Sequence, residues 1–433
     1  MPGLTAAAAL RAALPALLAP ISDRSTIGLA VSGGPDSLAL MLLVDEWRRA
    51  RTTAPRIIVY SVDHRLRPEA AAEAAFVQEL ASRLSFPSRT LRWTGDKPLA
   101  GVQAAARAAR YRLIGEAMRA DGAEILLTAH QRADQAETVL MRLAHGSGLD
   151  GLRGMSAFAE VEGVHLFRPL LDVAPEALRA IVAEAGIVPV SDPSNADRHY
   201  ERVRWREALP GLAALGLDAS RLAAFARRAG EADDAVAQWA EERFAALVRL
   251  DPLGAASFSG AAFAGLPAAV GTKLLQRILG VTGAPGRAGA LGAVERLRAA
   301  IASGTPLAVT VGGASVRRRG DVIWVAREAG RRPPAEAVLG GRAALVWDHR
   351  FRIANAGADA LDVRPGAALS RAAAERLVGH RLMAPSAAIR TAPLVLTQSG
   401  EPLALGAYCL SGEVSVELLG VEPLGEAKPL PQS

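Results

Sequence analysis

A short apolar stretch at residues 27–31 runs into Ser32-Gly33-Gly34-Pro35-Asp36-Ser37 and out into the apolar helical pattern 38–44, which constrains this chain more than any other feature. Two adjacent glycines let a backbone turn tightly and bring its amides against an anion. A helix opening directly afterwards adds free N–H groups and a favourable dipole. Ser32 and Ser37 offer hydroxyls, while Asp36 suits Mg2+ rather than phosphate itself. The same residues are also good turn and N-cap chemistry. Strand before and helix after favour a nucleotide. The GxxxxGK[ST] signature is absent, so this is not a Walker ATPase.

Around this loop, strand patterns at 26–31, 56–62, 89–93 and 124–129 alternate with helical patterns opening near Ser37, Pro68, Val102 and Ala133. That order predicts an α/β domain with a parallel sheet covered by helices on both faces, and ligands beyond the carboxyl ends of its strands. Leu10, Leu14, Leu17 and Leu18 fit one face of a helix packed on the sheet better than a secretory signal, since no basic segment precedes them. The turn cluster Ser191-Asp192-Pro193-Ser194-Asn195 ends the alternation. Residues 201–303 read as helices (221–247, 262–279, 287–302). Residues 306–326 read as strands turning at Gly312-Gly313 and Arg319-Gly320. After a linker at 331–337, the remainder is strand-rich around 344–353 and 393–407. The expected division is 1–215, a nucleotide-binding catalytic domain; 216–330, mainly helical and ending in a hairpin; and 331–433, a small α+β domain.

No stretch approaches the ~18 apolar residues of a membrane helix. The single cysteine, Cys409, leaves no disulfide framework and no Cys pair for zinc or an iron–sulfur cluster. A soluble cytoplasmic protein is expected. A net charge of +6 admits a polyanionic partner, though only Lys97, Lys273 and Lys428 are lysines and the arginine richness has a compositional explanation too.

The loop at 32–37 resembles the SGGxDS motif of the PP-loop ATP pyrophosphatase superfamily, identified with an adenine nucleotide alpha hydrolase-like fold. Such enzymes split ATP between its α- and β-phosphates, adenylate a carbonyl-type oxygen and let a nucleophile displace AMP. Further segments, in matching order, resemble the tRNA(Ile)-lysidine synthase family. Ser61-Val62-Asp63-His64-Arg65-Leu66-Arg67 is similar to SVDHGLR, with Arg65 at the family's glycine. Asp63 and His64 also read as a capping turn. Ala106-Arg107-Ala108-Ala109-Arg110-Tyr111 resembles ARxxRY, and Arg107 and Arg110 share a helix face suited to phosphate, or to solvent. Thr128-Ala129-His130 with Asp134-Gln135-Ala136-Glu137-Thr138 resembles TAHHxDDQxET, although Gln131 and Ala133 replace a His and an Asp. His145-Gly146-Ser147-Gly148 resembles RGSG; the glycine-rich run 146–154 is either a mobile loop over the site or a plain connection. Arg168-Pro169-Leu170-Leu171, Asp192-Pro193-Ser194-Asn195 and Arg202-Val203-Arg204-Trp205-Arg206 resemble RPLL, D-x-[ST]-N and RNxIR.

The resemblance implies a carbon–nitrogen ligase using ATP and Mg2+. ATP would lie on Ser32, Gly33, Gly34, Pro35, Asp36 and Ser37, with Ser61, Asp63, Arg107 and Arg110 also toward the nucleotide and Asp36 toward Mg2+. Asp134 and Glu137 would bind substrate L-lysine, with His130 a candidate base or a plain core histidine. Arg202, Arg204 and Arg206 would meet the isoleucine tRNA bearing a CAU anticodon. Its wobble cytidine would become lysidine, shifting codon reading from AUG to AUA. A homodimer is possible on this reading, and no membrane is involved. The alternatives are another PP-loop tRNA-modifying enzyme or a non-catalytic RNA-binding relative. A thiolase would need cysteines this chain lacks, and no glutaminase signature accompanies the loop.

Overall fold

The computed structural model describes residues 2–65, 69–95, 97–98, 101–190, 197–285, 289–330 and 333–420. Helix starts expected at Pro68 and Arg287, Leu66-Arg67, and the turn cluster with Asp192-Pro193-Ser194-Asn195 lie outside them. The chain divides into two units, Met1–Glu231 and Ala232–Ser433.

In the first unit, α1 (Pro2–Leu18) leads to β1 (Thr26–Ala30), α2 (Pro35–Arg49), β2 (Arg56–Asp63), α3 (Ala70–Arg83), β3 (Ser88–Arg92), α4 (Val102–Asp121), β4 (Ile125–Leu127) and α5 (Arg132–Ala144). A short α6 (Leu149–Leu152), the strands β5 (Phe158–Val161) and β6 (Val164–Phe167), α7 (Pro175–Glu184) and α8 (Glu201–Ala214) follow. The sheet order is β3-β2-β1-β4-β6-β5, parallel throughout except for β5. That antiparallel edge was not anticipated. It comes from a hairpin at Glu162-Gly163, whose φ values of 51° and 72° give the twist a two-residue turn requires.

The central strands are buried on both faces, as a parallel sheet between helices demands. Ile27, Leu29, Ile57, Val59, Ile125 and Leu127 join Leu10, Leu14 and Leu18 of α1 with residues of α2, α3 and α7 on one side. Ile58, Tyr60, Leu126 and Leu166 join Tyr111, Ile114 and Met118 of α4 on the other. Gly28 faces this second side because a Cβ there would lie 2.9 Å from the Tyr60 ring. Successive connections from β1 go toward β2 and β3, then return to β4 on its opposite edge. The β1 and β4 ends therefore border the switch in strand order, where ligands bind in open α/β sheets.

In the second unit, α9 (Ala219–Leu247, beginning in the first), β7 (Arg249–Leu250), β8 (Ala256–Ser259), α10 (Gly260–Ala264), α11 (Ala268–Thr282), α12 (Leu291–Ala302), β9 (Ala308–Val311), β10 (Ala314–Arg319) and β11 (Val322–Arg327) come first. One helix was expected across 262–279. It is two, because Pro267 has no N–H to continue the first and caps the second. The expected hairpins are present as β9-β10-β11, joined by β8 and β7, which had no pattern of their own. The C-terminal region forms two antiparallel sheets, including β13 (Ala343–Trp347) after β12 (Ala337–Leu339), then β14 (Phe351–Asn355). Their junction is ionic: buried Arg350 donates to Asp348 Oδ2 at 2.8 Å and to the Thr391 carbonyl, and Arg327 also meets Asp348. Among the described residues no helix is long and apolar enough to cross a membrane.

Candidate active site

The loop leaving β1 closes as its residue types dictate. Gly33 takes φ +86°, and Gly34 is the extended N-cap of α2, with Pro35 opening the helix where a missing N–H costs nothing. Ser37 Oγ donates to the Gly34 carbonyl at 2.9 Å, and the Ser32 amide donates to Ser37 Oγ at 3.3 Å. Asp36 lies in the first turn. Burial, and then the neighbouring Asp134 carboxylate, push its carboxyl up to about 6, against the opposing pull of Arg179, the Gln131 side chain and Arg206. A cation beside Asp36 would relieve that penalty, so the residue fits one of the few protein ligands Mg2+ needs when phosphates supply the rest. No cluster of three or more metal-ligating side chains occurs among the described residues.

The second half of the site comes from the β4–α5 junction, nearly a hundred residues further along. Gln131, a departure from the family pattern, has a definite task here. Its Oε1 accepts from the Ala133 amide at 2.7 Å, while Asp134 Oδ2 accepts from the Gln131 amide at 2.9 Å, a reciprocal cap on α5. The same side chain lies near Asp36 and helps to hold its carboxyl down. Sequence reasoning missed this role because a replaced histidine reads as a loss. Its one signal was Gln131 and Asp134 at capping-box spacing.

Glu137, one turn on, is 1% exposed. It and Asp134 do share a helix face, and both are occupied. Arg202 Nε donates to Glu137 Oε2 at 2.6 Å and its Nη2 to Asp134 Oδ1 at 2.8 Å. Arg206 donates to Glu137 Oε1 at 2.7 Å and Oε2 at 3.2 Å. The basic cluster of α8 therefore splits. Arg202 and Arg206 turn onto the carboxylates, whereas Arg204 points the other way and bonds the carbonyls of Arg198 and His199. Packing sets that orientation, with Trp205, Leu209 and Leu212 of α8 against Ala136, Val139 and Leu140 of α5. His145, standing where the family has Arg, lies 3.0 Å from Glu201 at the start of α8. The run 146–154 is tied down by Arg142 to the carbonyls of Gly151 and Gly154, and Gln135 bonds Met155 at both ends of its amide, so it is a pinned connection.

Beyond these loops lies a cationic wall. Arg110 reaches His64 Nε2 at 3.3 Å, joining α4 to the end of β2, and Arg107 stacks on Tyr111. Burial and Arg110 push His64 down to about 4. Asp63 caps its own turn through the Arg65 amide at 2.8 Å, and Arg65 takes φ +52°, so the arginine adopts the left-handed backbone the family gives to glycine. Ser61 is buried within β2. His130 bonds Thr128 Oγ1 at 3.0 Å; burial and four arginines hold it down at about 3, so it is neutral. Arg168, which sequence reasoning left without a role, is buried at the end of β6 with Nε lacking a partner and Nη1 on the Ser156 carbonyl.

The chain is similar to known proteins. A PP-loop domain model matches residues 7–212. The tRNA(Ile)-lysidine synthase of Rhodopseudomonas palustris is 50% identical over 276 residues, 64% of this chain and 80% of that protein. That of Bradyrhizobium diazoefficiens is 48% identical over 291 residues, 66% and 80% of the two chains. The Mesorhizobium japonicum protein of the same name is 34% identical over 394 residues, 88% of this chain and 82% of its own.

Proposed function

This chain belongs to the tRNA(Ile)-lysidine synthases, carbon–nitrogen ligases with an ATP-binding PP-loop, and from that premise we propose how its residues divide the work. The observation that carries the reading is the placing of Asp36, on the 32–37 loop, beside the Gln131–Asp134 cap of α5. ATP and the amino acid then meet at one point of the sheet.

ATP is held with its pyrophosphate portion on the amides of residues 32–37 and the N-terminus of α2. Ser61, Asp63, Arg107 and Arg110 border the nucleotide. Mg2+, held partly by Asp36, would supply neutralisation of the phosphate charge. The wobble cytidine of the CAU-anticodon isoleucine tRNA presents its C2 oxygen to the α-phosphorus; a P–O bond forms and pyrophosphate leaves. The lysine ε-amine then attacks C2, the C–O bond breaks, AMP departs with its electron pair, and the surplus amine proton passes to water. Holding two reactants in register, with arginines where phosphate charge grows, supplies most of the acceleration.

Asp134 and Glu137 hold substrate lysine. The attacking amine must be neutral, and a carboxylate bonded to it would raise its pKa. Neutral His130, surrounded by arginines, is too weakly basic to draw that proton in this arrangement, so we assign it hydrogen bonding within the site. Of the three arginines of α8, Arg204 faces outward to the RNA, whereas Arg202 and Arg206 stand on the carboxylates. The reaction is cytoplasmic, and a homodimer is compatible with it.

The test mixes labelled lysine, ATP, Mg2+ and an isoleucine tRNA transcript bearing CAU with the protein or its Asp36→Ala variant. ATP-dependent label in the RNA, lost in the variant, is expected. RNA binding without lysine attachment would refute the assignment.

A further inference from the structure

The ion pairs between α5 and α8 pose a problem that the catalytic reading does not solve. Every oxygen of the two carboxylates assigned to lysine is already bonded. Asp134 Oδ2 takes the Gln131 amide and Oδ1 takes Arg202; Glu137 Oε1 takes Arg206, and Oε2 takes Arg202 and Arg206. Two carboxylates here face two guanidiniums, with the Asp36 carboxyl close by. A substrate cation bridging the two carboxylates needs the place where the Arg202 guanidinium now spans them. Lysine and one of the arginines are therefore mutually exclusive here.

The geometry identifies which arginine yields. Glu137 is essentially buried and cannot be left without a partner, since an unpaired buried charge is costly. Arg206 satisfies it alone, with one bond to each oxygen. Arg202 is the bridging cation: it spans Glu137 and Asp134, and Asp134 is the more exposed carboxylate at 17% against 1%. Removing Arg202 keeps Glu137 paired and frees Asp134 Oδ1. Arg202 is itself 38% exposed, on a helix that also carries Arg204. A guanidinium in that position has an alternative anion of the right geometry in an RNA phosphate.

We propose that Arg202 is an exchangeable placeholder: in the RNA-free protein it fills the cation site between Asp134 and Glu137, and it transfers to a phosphate of the docked tRNA, which opens the site to lysine. This rests on the assignment of lysine to Asp134 and Glu137. It makes Arg202 a positioning residue that orders the reaction, RNA first and amino acid second. It also makes the coupling reciprocal, because each ligand must then tighten the other by the same factor.

The experiment is equilibrium binding of labelled lysine to the full chain, with and without the CAU-bearing tRNA transcript and no ATP. The wild type should bind lysine weakly alone and five- to 150-fold more tightly with RNA, the usual range of such couplings. Arg202→Gln should bind lysine without RNA about as well as the wild type does with it, and RNA should add little. Arg202→Lys, which retains a charge but cannot form the two-carboxylate bridge through two nitrogens, should fall between and guards against a folding defect in the first variant. Lysine affinity that is equal with and without RNA in the wild type, or no tighter in either variant without RNA, overturns the placeholder. Asp134→Asn separates the two layers. If it binds lysine as well as the wild type, the lysine-site assignment itself fails; if it loses lysine while the Arg202 variants gain nothing, only the placeholder fails.

Discussion

Gln131→Ser isolates the influence of the Gln131 side chain on Asp36. Serine retains an acceptor suited to an N-cap, so α5 keeps its start, whereas alanine would cost about 0.5–2 kcal/mol. What serine lacks is the reach to Asp36. In the wild type that contact and nearby arginines restrain a carboxyl that burial and Asp134 have already pushed up to about 6. A hydrogen bond to a charged group contributes about 1.5–3 kcal/mol; water entering the shortened site replaces part of it, leaving a loss of about 1.4 kcal/mol, or one pH unit. The sign follows from which form is required. Ionised Asp36 is the form that can accept a cation, so activity falls as pH drops through about 6. Loss of a bond to the ionised form moves that limb to higher pH. The assay is kcat/KM for ATP against pH, which reports the free enzyme. At pH 6.5 the ionised fraction should fall from about three quarters to about one quarter, a roughly threefold loss, and by pH 8.5 the two proteins should converge. A limb that stays where the wild type has it, or a loss uniform across pH, would refute the coupling between Gln131 and Asp36.

Asp36→Asn should lose ATP-dependent activity and gain stability. The folded carboxyl sits above its ordinary 3.8, so the wild type loses stability as pH rises from the unfolded value through about 6. The asparagine protein should accordingly be more stable by about 1–3 kcal/mol at pH 8 and not at pH 3, measured as a difference in thermal midpoint at each pH; equal midpoints at pH 8 would contradict the burial argument. In the second unit, Asp348→Asn strips the shared counter-ion from Arg350 and Arg327, which are both buried. The expected cost is about 3–5 kcal/mol, read as a lower urea midpoint for that unit, and a change under 1 kcal/mol would mean the pairs are dispensable.

Whatever depends on neighbours along the chain was legible in the order of residues. The strand into residues 32–37 and out into α2 is local chemistry: apolar runs at both ends, glycines where the backbone must turn, a proline and a serine where a helix opens. Alternation of strand and helix patterns was equally readable, because each βα unit buries its own apolar face. Resemblance over separate motifs carried the substrate classes, which no periodicity contains. Other features had no local signature. The antiparallel β5 depends on two left-handed residues, only one a glycine, and β7 and β8 are too short to announce a period.

Tertiary structure decided what faces what. Residues 32–37 and 131–137 meet because β4 returns to the opposite edge of β1 from β2, a matter of strand order. Arg202, Arg204 and Arg206 look equivalent as letters. Packing of Trp205, Leu209 and Leu212 on α5 sends the first and third onto buried carboxylates and the second outward. Gln131, by its letter a missing histidine, caps the carboxylate helix beside Asp36 of the ATP loop. Charge in a sequence carries no direction; a buried carboxylate gives it one, because burial without a counter-ion is what the fold cannot sustain.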